Sequence, residues 1–249
     1  NLFGAMMVHL NDADALLTGL TTHYPDTVRP LLQVIPMRPG VRRASGLYLV
    51  ITEKRNKAYF LADCTVNIDP TAEELAEIAL CAADTARRFD VEPKVAFLSY
   101  SNFGSSSGAS PAKVREAVRI LKSRSTEVVA DGEMQADTAV VPGRLEGTYP
   151  FSTLQGGANV LVFPNLDAGN IAYKLLGELG GAQIVGPILM GPAKPVHVLQ
   201  REATAADVVN LAALAAVEAQ ELSHGKNGAE RRLMRRLLTQ STLTVEKTE

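Results

Sequence analysis

Apolar and polar positions along this chain switch repeatedly between two periods. Short runs of apolar, β-branched and aromatic residues at 47–52, 57–62, 95–99, 127–130, 159–163 and 184–189 have the length and composition of buried strands. Between them, apolar residues recur at helical spacing over 26–35, 72–88, 111–122, 166–179 and 204–220. Asp69-Pro70 provides an N-cap and a first helical position for the second of these, and Thr71 with Glu74 offers an alternative capping box. Ser110-Pro111 marks the start of the third in the same way. Strand and helix in alternation predict right-handed βαβ units, a mainly parallel sheet and an α/β/α sandwich.

The two ends break this rhythm. Phe3-Gly4-Ala5-Met6-Met7-Val8 follows Asn1 with no initiator Met and no polar lead-in. It reads as a buried strand entered in mid-domain, and so as part of a longer protein. After Ser223, His224-Gly225-Lys226-Asn227-Gly228 breaks the preceding helix, and Arg231-Arg232 and Arg235-Arg236 face Leu233, Leu237 and Leu238. A solvated terminal helix is the expectation there; an amphipathic helix packed on a partner subunit is the alternative.

Composition narrows the class. A length of 249 residues permits one substantial core or two modest lobes. The chain is 46% hydrophobic and 21% charged, as soluble globular proteins are. A formal net charge of −2 gives no general electrostatic reason to bind nucleic acid or an anionic membrane. No apolar run reaches the ~18–20 residues of a membrane span. Cys64 and Cys81 are too few for a disulfide framework, belong to no metal-ligand spacing and, without a signal peptide, suggest a reducing, cytoplasmic setting.

Candidate chemistry concentrates in loops. Ser99-Tyr100-Ser101-Asn102-Phe103-Gly104-Ser105-Ser106-Ser107-Gly108 leaves a predicted strand and enters a predicted helix. Its amides and hydroxyls could line a phosphate, or it could be a flexible polar connector. It lacks the Gly-Lys-Ser/Thr of a nucleoside triphosphate loop. Gln155-Gly156-Gly157-Ala158-Asn159 precedes its strand, whereas a dinucleotide fingerprint follows one, so nothing here signals NADP binding. Asp131, Glu133 and Asp137 could share acid–base work or hold a divalent metal. Asp131 and Glu133 as helix caps, with Asp137 on a solvated face, is the favoured reading. Arg29, Arg38, Arg42 and Arg43 could bind phosphate but need not converge. His9, His23, His197 and His224 lack ligand or triad spacing and read as core or surface residues.

A resemblance adds to this reading. The stretch Tyr149-Pro150-Phe151-Ser152-Thr153-Leu154-Gln155-Gly156-Gly157-Ala158-Asn159-Val160-Leu161-Val162-Phe163-Pro164-Asn165-Leu166 is very similar to the phosphotransacetylase signature. So are Ala168-Gly169-Asn170-Ile171-Ala172-Tyr173-Lys174-Leu175, Gly186-Pro187-Ile188-Leu189 and Lys194-Pro195-Val196-His197-Val198-Leu199-Gln200-Arg201. The likeness covers about residues 1–220 and implies a two-lobed α/β/α sandwich of the phosphotransacetylase and isocitrate-dehydrogenase-like type. Residues 45–187 would form the second lobe, which dimerises in that family. Residues 1–44 and 188–249 would form the remainder of a first lobe whose opening part lies upstream, with the ligand cleft between lobes. Runs at 3–8, 12–16, 23–30 and 101–105, and Val196-His197-Val198-Leu199-Gln200-Arg201 above all, resemble the fused C-terminal domain of bacterial NADP-dependent malic enzymes. That finer resemblance implies an absent malic enzyme part carrying the NADP and Mg or Mn sites.

Phosphotransacetylases carry a Ser-Arg-Gly motif followed by an Asp that acts as base on the CoA thiol, while the Arg holds phosphate. Arg201 and Asp207 take the Arg and Asp places, but Gln200 replaces the Ser and Glu202 the Gly. A longer amide displaces the donor, and misplacement by about 1 Å can lower a rate ~100-fold. A carboxylate beside the phosphate-holding Arg opposes an anion. These changes lead to the expectation of a regulatory domain that binds acetyl-CoA as effector without acetyltransferase activity, in an oxidoreductase. An active phosphate acetyltransferase is the alternative. The ligand-binding candidates are Arg201, Asp207, Gln200, Arg29, Ser101, Asn102, Ser105, Ser106 and Asn159, with no metal site. Acetyl-CoA or CoA and a homodimer or higher homo-oligomer are the expected partners, without nucleic acid or membrane.

Overall fold

The computed structural model describes residues 1–52 and 57–223. The tail reading for 224–249 lies outside the described residues. The chain divides into two compact units, one of Asn1–Pro36 with Lys194–Glu249, the other of Met37–Ala193.

The first unit contains α1 (Leu2–Leu10), β1 (Leu16–Gly19), α2 (Tyr24–Val34), β8 (Val196–Leu199) and α8 (Ala205–Ser223). β1 and β8 pair in parallel, Leu16 opposite Val196. The opening apolar run is therefore a helix, which corrects the strand expectation. Ala5 and Val8, three apart, are its buried positions while Phe3 is 77% exposed. A six-residue apolar run does not distinguish the two periods without its surroundings. On the buried side of α8, Glu218 meets His197 Nε2 at 2.9 Å. His197 is thus a core histidine, as its lack of ligand spacing suggested.

The second unit holds β2 (Ser45–Thr52), β3 (Lys57–Ala62), α3 (Ala72–Arg88), β4 (Lys94–Leu98), α4 (Ala109–Arg124), β5 (Val129–Met134), α5 (Ala136–Val140), α6 (Arg144–Thr148), β6 (Val160–Val162), α7 (Leu166–Glu178) and β7 (Gln183–Met190). The six strands form one sheet in the order β5-β4-β6-β3-β2-β7. β5, β4, β6 and β3 run parallel, whereas β2 is antiparallel to both β3 and β7. One face packs Tyr48, Leu61, Leu98 and Phe163 against Ala139 of α5, Leu145 of α6 and Tyr173 of α7. Tyr173 stacks on Tyr48 with ring centroids 3.9 Å apart. α3 and α4 pack on the strands from the other side, where Phe60, Phe97, Leu75 and Leu121 are fully buried. Each such side chain contributes about 1.5–3 kcal/mol by leaving water.

Local side-chain caps mark three of the described helix starts, those of α3, α7 and α8. Thr71 and Glu74 form the complete capping box, Thr71 N–H donating to Glu74 Oε2 at 2.9 Å and Glu74 N–H to Thr71 Oγ1 at 3.3 Å, so the cap is Thr71 and not Asp69. Ser110 does not cap α4, whose N-cap is Gly108 without a side-chain hydrogen bond. Asn165 caps α7 by accepting from Ala168 N–H at 3.0 Å. One turn later Gly169 lies where a Cβ would sit 2.3 Å from the Asp63 carbonyl oxygen, so only glycine lets α7 approach β3. Asp131 and Glu133 lie in β5, which corrects their reading as helix caps.

Candidate functional site

The parallel strands β3, β6, β4 and β5 all deliver their carboxyl ends to one edge of the sheet. β4 leads to α4 on one face, while its neighbour β6 leads to α7 on the other. Ligands of α/β proteins bind at such a switch point because the diverging connections leave a crevice. The serine-rich loop 99–108 leaves β4 there and becomes the N-terminus of α4.

Its serines are tied into its own scaffold. Ser101 is fully buried, and its Oγ donates to Glu133 Oε1 at 2.7 Å and accepts from Ser106 N–H at 3.0 Å. Ser105 Oγ lies 3.1 Å from Ser101 Oγ and accepts from Asn102 N–H at 2.9 Å. Asn102 Oδ1 accepts from Gln135 N–H at 2.8 Å. Ser106 Oγ accepts from Gly108 N–H at 3.4 Å. Among the described residues, the amides of Ser107, Ala109 and Ser110 have no acceptor, and Pro111 has none to offer. Those amides sit at the positive end of a 16-residue helix that lacks a side-chain cap, the arrangement that attracts anions. The connector is ordered by hydrogen bonds, and its available donors begin at Ser107, directly after the serines engaged in the scaffold.

Two buried carboxylates of β5 secure this edge. Glu133, wholly buried, accepts from Ser101 Oγ, from Gly104 N–H at 2.9 Å and from Arg115 Nη1 at 2.9 Å, all at Oε1. Asp131 accepts from Lys122 Nζ at 3.0 Å, Ser152 Oγ at 2.9 Å and Thr153 N–H at 2.9 Å. Burial pushes the Asp131 carboxyl up, but the bonds from Thr153, Lys122 and Ser152 outweigh it and hold it below the usual carboxylate range. Asp131 and Oε1 of Glu133 are engaged in hydrogen bonds and ion pairs, and no group of three or more His, Cys, Asp or Glu among the described residues is placed to hold a metal. Asp137, half-exposed, pairs with Arg144.

Nearby, Asp63 accepts from the amides of Gly46, Thr65, Val66 and Asn67 and so shapes the turn after β3. Lys113 Nζ reaches the Pro164 carbonyl at 3.0 Å, holding the exit of β6 to α4.

The remaining candidates lie elsewhere. Asn159 is at the amino end of β6, accepting from Lys94 N–H at 2.8 Å and donating to the Glu92 carbonyl at 2.8 Å. The length of β4, about 13 Å at ~3.3 Å per residue, separates it from the loop, so it fastens two strands and does not join the serines. Arg29, Gln200, Arg201 and Asp207 belong to the first unit. Arg29 and Arg201 are exposed. Asp207 Oδ2 accepts from Thr204 N–H at 2.8 Å and Thr204 Oγ1 at 2.7 Å, a reciprocal cap on α8. Arg38, Arg42 and Arg43 do not form a phosphate site: they lie by Asp84, Glu77 and Glu74 of α3 at 4.0, 2.7 and 2.8 Å. Sequence reasoning missed Arg115, Lys122 and the role of Glu133. Seven residues apart on α4, the two cations share a face, and that spacing opposite two acids was the one available signal.

A mixed sheet between helix layers, with a hydrogen-bonded loop at its switch point leading into an uncapped helix, defines an α/β sandwich protein of the ligand-at-the-strand-ends class. Residues 1–216 match the family described as "Phosphate acetyl/butaryl transferase", and the chain belongs to that family. It is 45% identical over 219 residues to the phosphate acetyltransferase of Bacillus subtilis (strain 168), covering 88% of this chain and 67% of that protein. Its structure is similar to a phosphotransacetylase from Streptococcus pyogenes, with a TM-score of 0.85, 45% identity, and 89% and 67% of the two chains covered. It is also similar to a phosphotransacetylase from Staphylococcus aureus, with a TM-score of 0.80, 42% identity, and 88% and 66% covered. The chain thus spans about two thirds of the length of these relatives.

These relatives overturn the regulatory malic-enzyme reading, and with it the expectation of an NADP-linked oxidoreductase. The matched proteins are phosphate acetyltransferases, and the family match runs through Gln200 and Glu202 to residue 216. No helix among the described residues is long and apolar enough to cross a membrane.

Proposed function

We propose that this chain acts as a phosphate acetyltransferase, moving an acetyl group between acetyl phosphate and CoA. The observation that carries the reading is its 45% identity, over 88% of its length, to a phosphate acetyltransferase; the family resemblance assigns Arg201 and Asp207 to the reactive pair. In the forward direction the Asp207 carboxylate takes the thiol proton of CoA. The thiolate attacks the acetyl carbonyl carbon, the bond from that carbon to the phosphate oxygen breaks, and inorganic phosphate leaves. Thr204 engages only Oδ2 of Asp207, so Oδ1 takes no hydrogen bond from the described residues and is available for the proton. Arg201 supplies a planar cation for phosphate. In the second unit, the amides of Ser107, Ala109 and Ser110 supply anion-binding donors on a scaffold set by Ser101, Asn102, Ser105 and Ser106.

The same reading includes a homodimer formed through the second unit. Ile171 and Leu175 on α7 and Leu179 at its C-cap, at helical spacing, are 57%, 51% and 81% exposed. Such a stripe on a well-packed helix fits a surface covered by a second copy. A reducing, cytoplasmic setting fits two buried free thiols.

The test is thioester formation from acetyl phosphate and CoA by the purified chain. Turnover is expected, and Asp207→Asn should lower it by about 100-fold or more, the usual worth of a positioned base. A folded protein that forms no acetyl-CoA overturns the reading.

A further inference from the structure

We propose that Glu133 is a positioning residue that sets the serine-rich loop by fixing which way its hydroxyl protons point. This rests on the reading of that loop as the holder of a substrate anion. Glu133 is 0% exposed and directs three hydrogen bonds to a single oxygen, Oε1, from Ser101 Oγ at 2.7 Å, Gly104 N–H at 2.9 Å and Arg115 Nη1 at 2.9 Å. Its other oxygen, Oε2, is buried without a hydrogen-bond partner.

A hydroxyl can donate or accept, whereas a carboxylate paired with a guanidinium accepts only. Ser101 must therefore spend its proton on Glu133. Its oxygen is then the acceptor for Ser106 N–H at 3.0 Å and for the Ser105 hydroxyl at 3.1 Å. Ser105, having donated, accepts from Asn102 N–H at 2.9 Å. One acceptor-only group orients a chain of two hydroxyls and three amides, those of Asn102, Gly104 and Ser106. The loop is held on both sides of Ser105, and Arg115 adds a bond to the Ser106 carbonyl at 3.3 Å. The donors at Ser107, Ala109 and Ser110 follow directly, so their direction depends on this chain of bonds. Native proteins rarely bury an oxygen without a partner, and when they do the cost is tolerated for a local task. Here that task is convergence of two loop donors and the Arg115 guanidinium of α4 on one atom.

Two variants and two readouts test the inference. Glu133→Gln replaces the acceptor-only carboxylate by a neutral amide that also donates, and Glu133→Ala removes the acceptor altogether. Hydrogen exchange of the loop peptide, which does not depend on turnover, should accelerate in the order wild type, Gln, Ala, with the α3 and β3 peptides unchanged. In the acetyltransferase assay the KM for acetyl phosphate should rise about tenfold in the Gln variant, the worth of one hydrogen bond, with kcat within about twofold. A merely structural residue would lower the folded fraction and leave the KM of the folded protein alone. Should the Ala variant fail to fold, the Gln variant alone decides. Unchanged loop exchange in a folded Gln variant overturns the inference whatever the activity, as does accelerated exchange with an unchanged KM. A wild-type protein that makes no acetyl-CoA overturns the functional reading instead, and exchange still reports on the hydrogen bonds.

Discussion

Arg115 on α4 donates through Nη1 to Glu133 Oε1 on β5 at 2.9 Å, and Glu133 is completely buried while Arg115 reaches solvent. The pair joins a layer helix to the sheet beside the loop that carries the candidate site. Removing the cation leaves a buried carboxylate with two neutral donors only. Arg115→Ala should therefore lower stability by ~1.5–3 kcal/mol, the range for a hydrogen bond to a charged group, measured as a shift of the urea midpoint at unchanged slope. Arg115→Lys should recover only part of this, since a point charge replaces a planar fork.

Asp131 gives the protein an acid limb whose sign can be worked out. Its carboxyl is held below the ordinary range in the folded state, despite burial, by Thr153, Lys122 and Ser152. A depressed carboxyl stabilises the fold fully above its unfolded value, near 3.9, and that contribution disappears as pH falls through the lower, folded value. Asp131→Asn should weaken the protein by ~1–3 kcal/mol at neutral pH and flatten the loss of stability below about pH 4. Urea titrations at a series of pH values measure both; an unchanged acid slope would refute the assignment.

Cys64 and Cys81 should resist alkylation. Burial pushes the Cys64 thiol well above its ordinary range, with the nearby Asp63 charge adding to it. Burial raises Cys81 too, partly offset by Arg38. The thiolate is the reactive form. Native protein should take up a thiol reagent at neutral pH orders of magnitude more slowly than a free thiol, with both cysteines reacting once urea unfolds the chain. Mass spectrometry after timed labelling counts the modified sites.

The stripe on α7 makes the dimer testable. Leu175 is 51% exposed between Ile171 and Leu179 on the same face. Leu175→Glu should convert a dimer into a monomer in light scattering while leaving the circular dichroism spectrum unchanged. A wild type that is monomeric at tens of micromolar would end the proposal.

The pattern of apolar positions was enough to place strands β2, β3, β4, β6 and β7 and helices α2, α3, α7 and α8, because each buries a side whose period is written in consecutive residues. Local capping chemistry was equally legible at Thr71 and Glu74, since both partners lie within one turn. The family was legible in the run from Tyr149 to Arg201. Other features depend on partners far along the chain. Residues 3–8 are helical, and only Ala5 and Val8 of that run are buried. The carboxylates of Asp131 and Glu133, read locally as caps, became strand residues once Lys122, Arg115 and Ser101 supplied their hydrogen bonds. Asn159 sits beside the glycines in sequence, yet parallel pairing places it at the strand end opposite the serine loop. Sequence alone determined many of the longer elements and the family, because those rest on short-range periodicity and contiguous likeness. Tertiary structure decided which polar groups serve as scaffold and which remain available, because a hydrogen-bond partner is fixed only when distant segments are packed together.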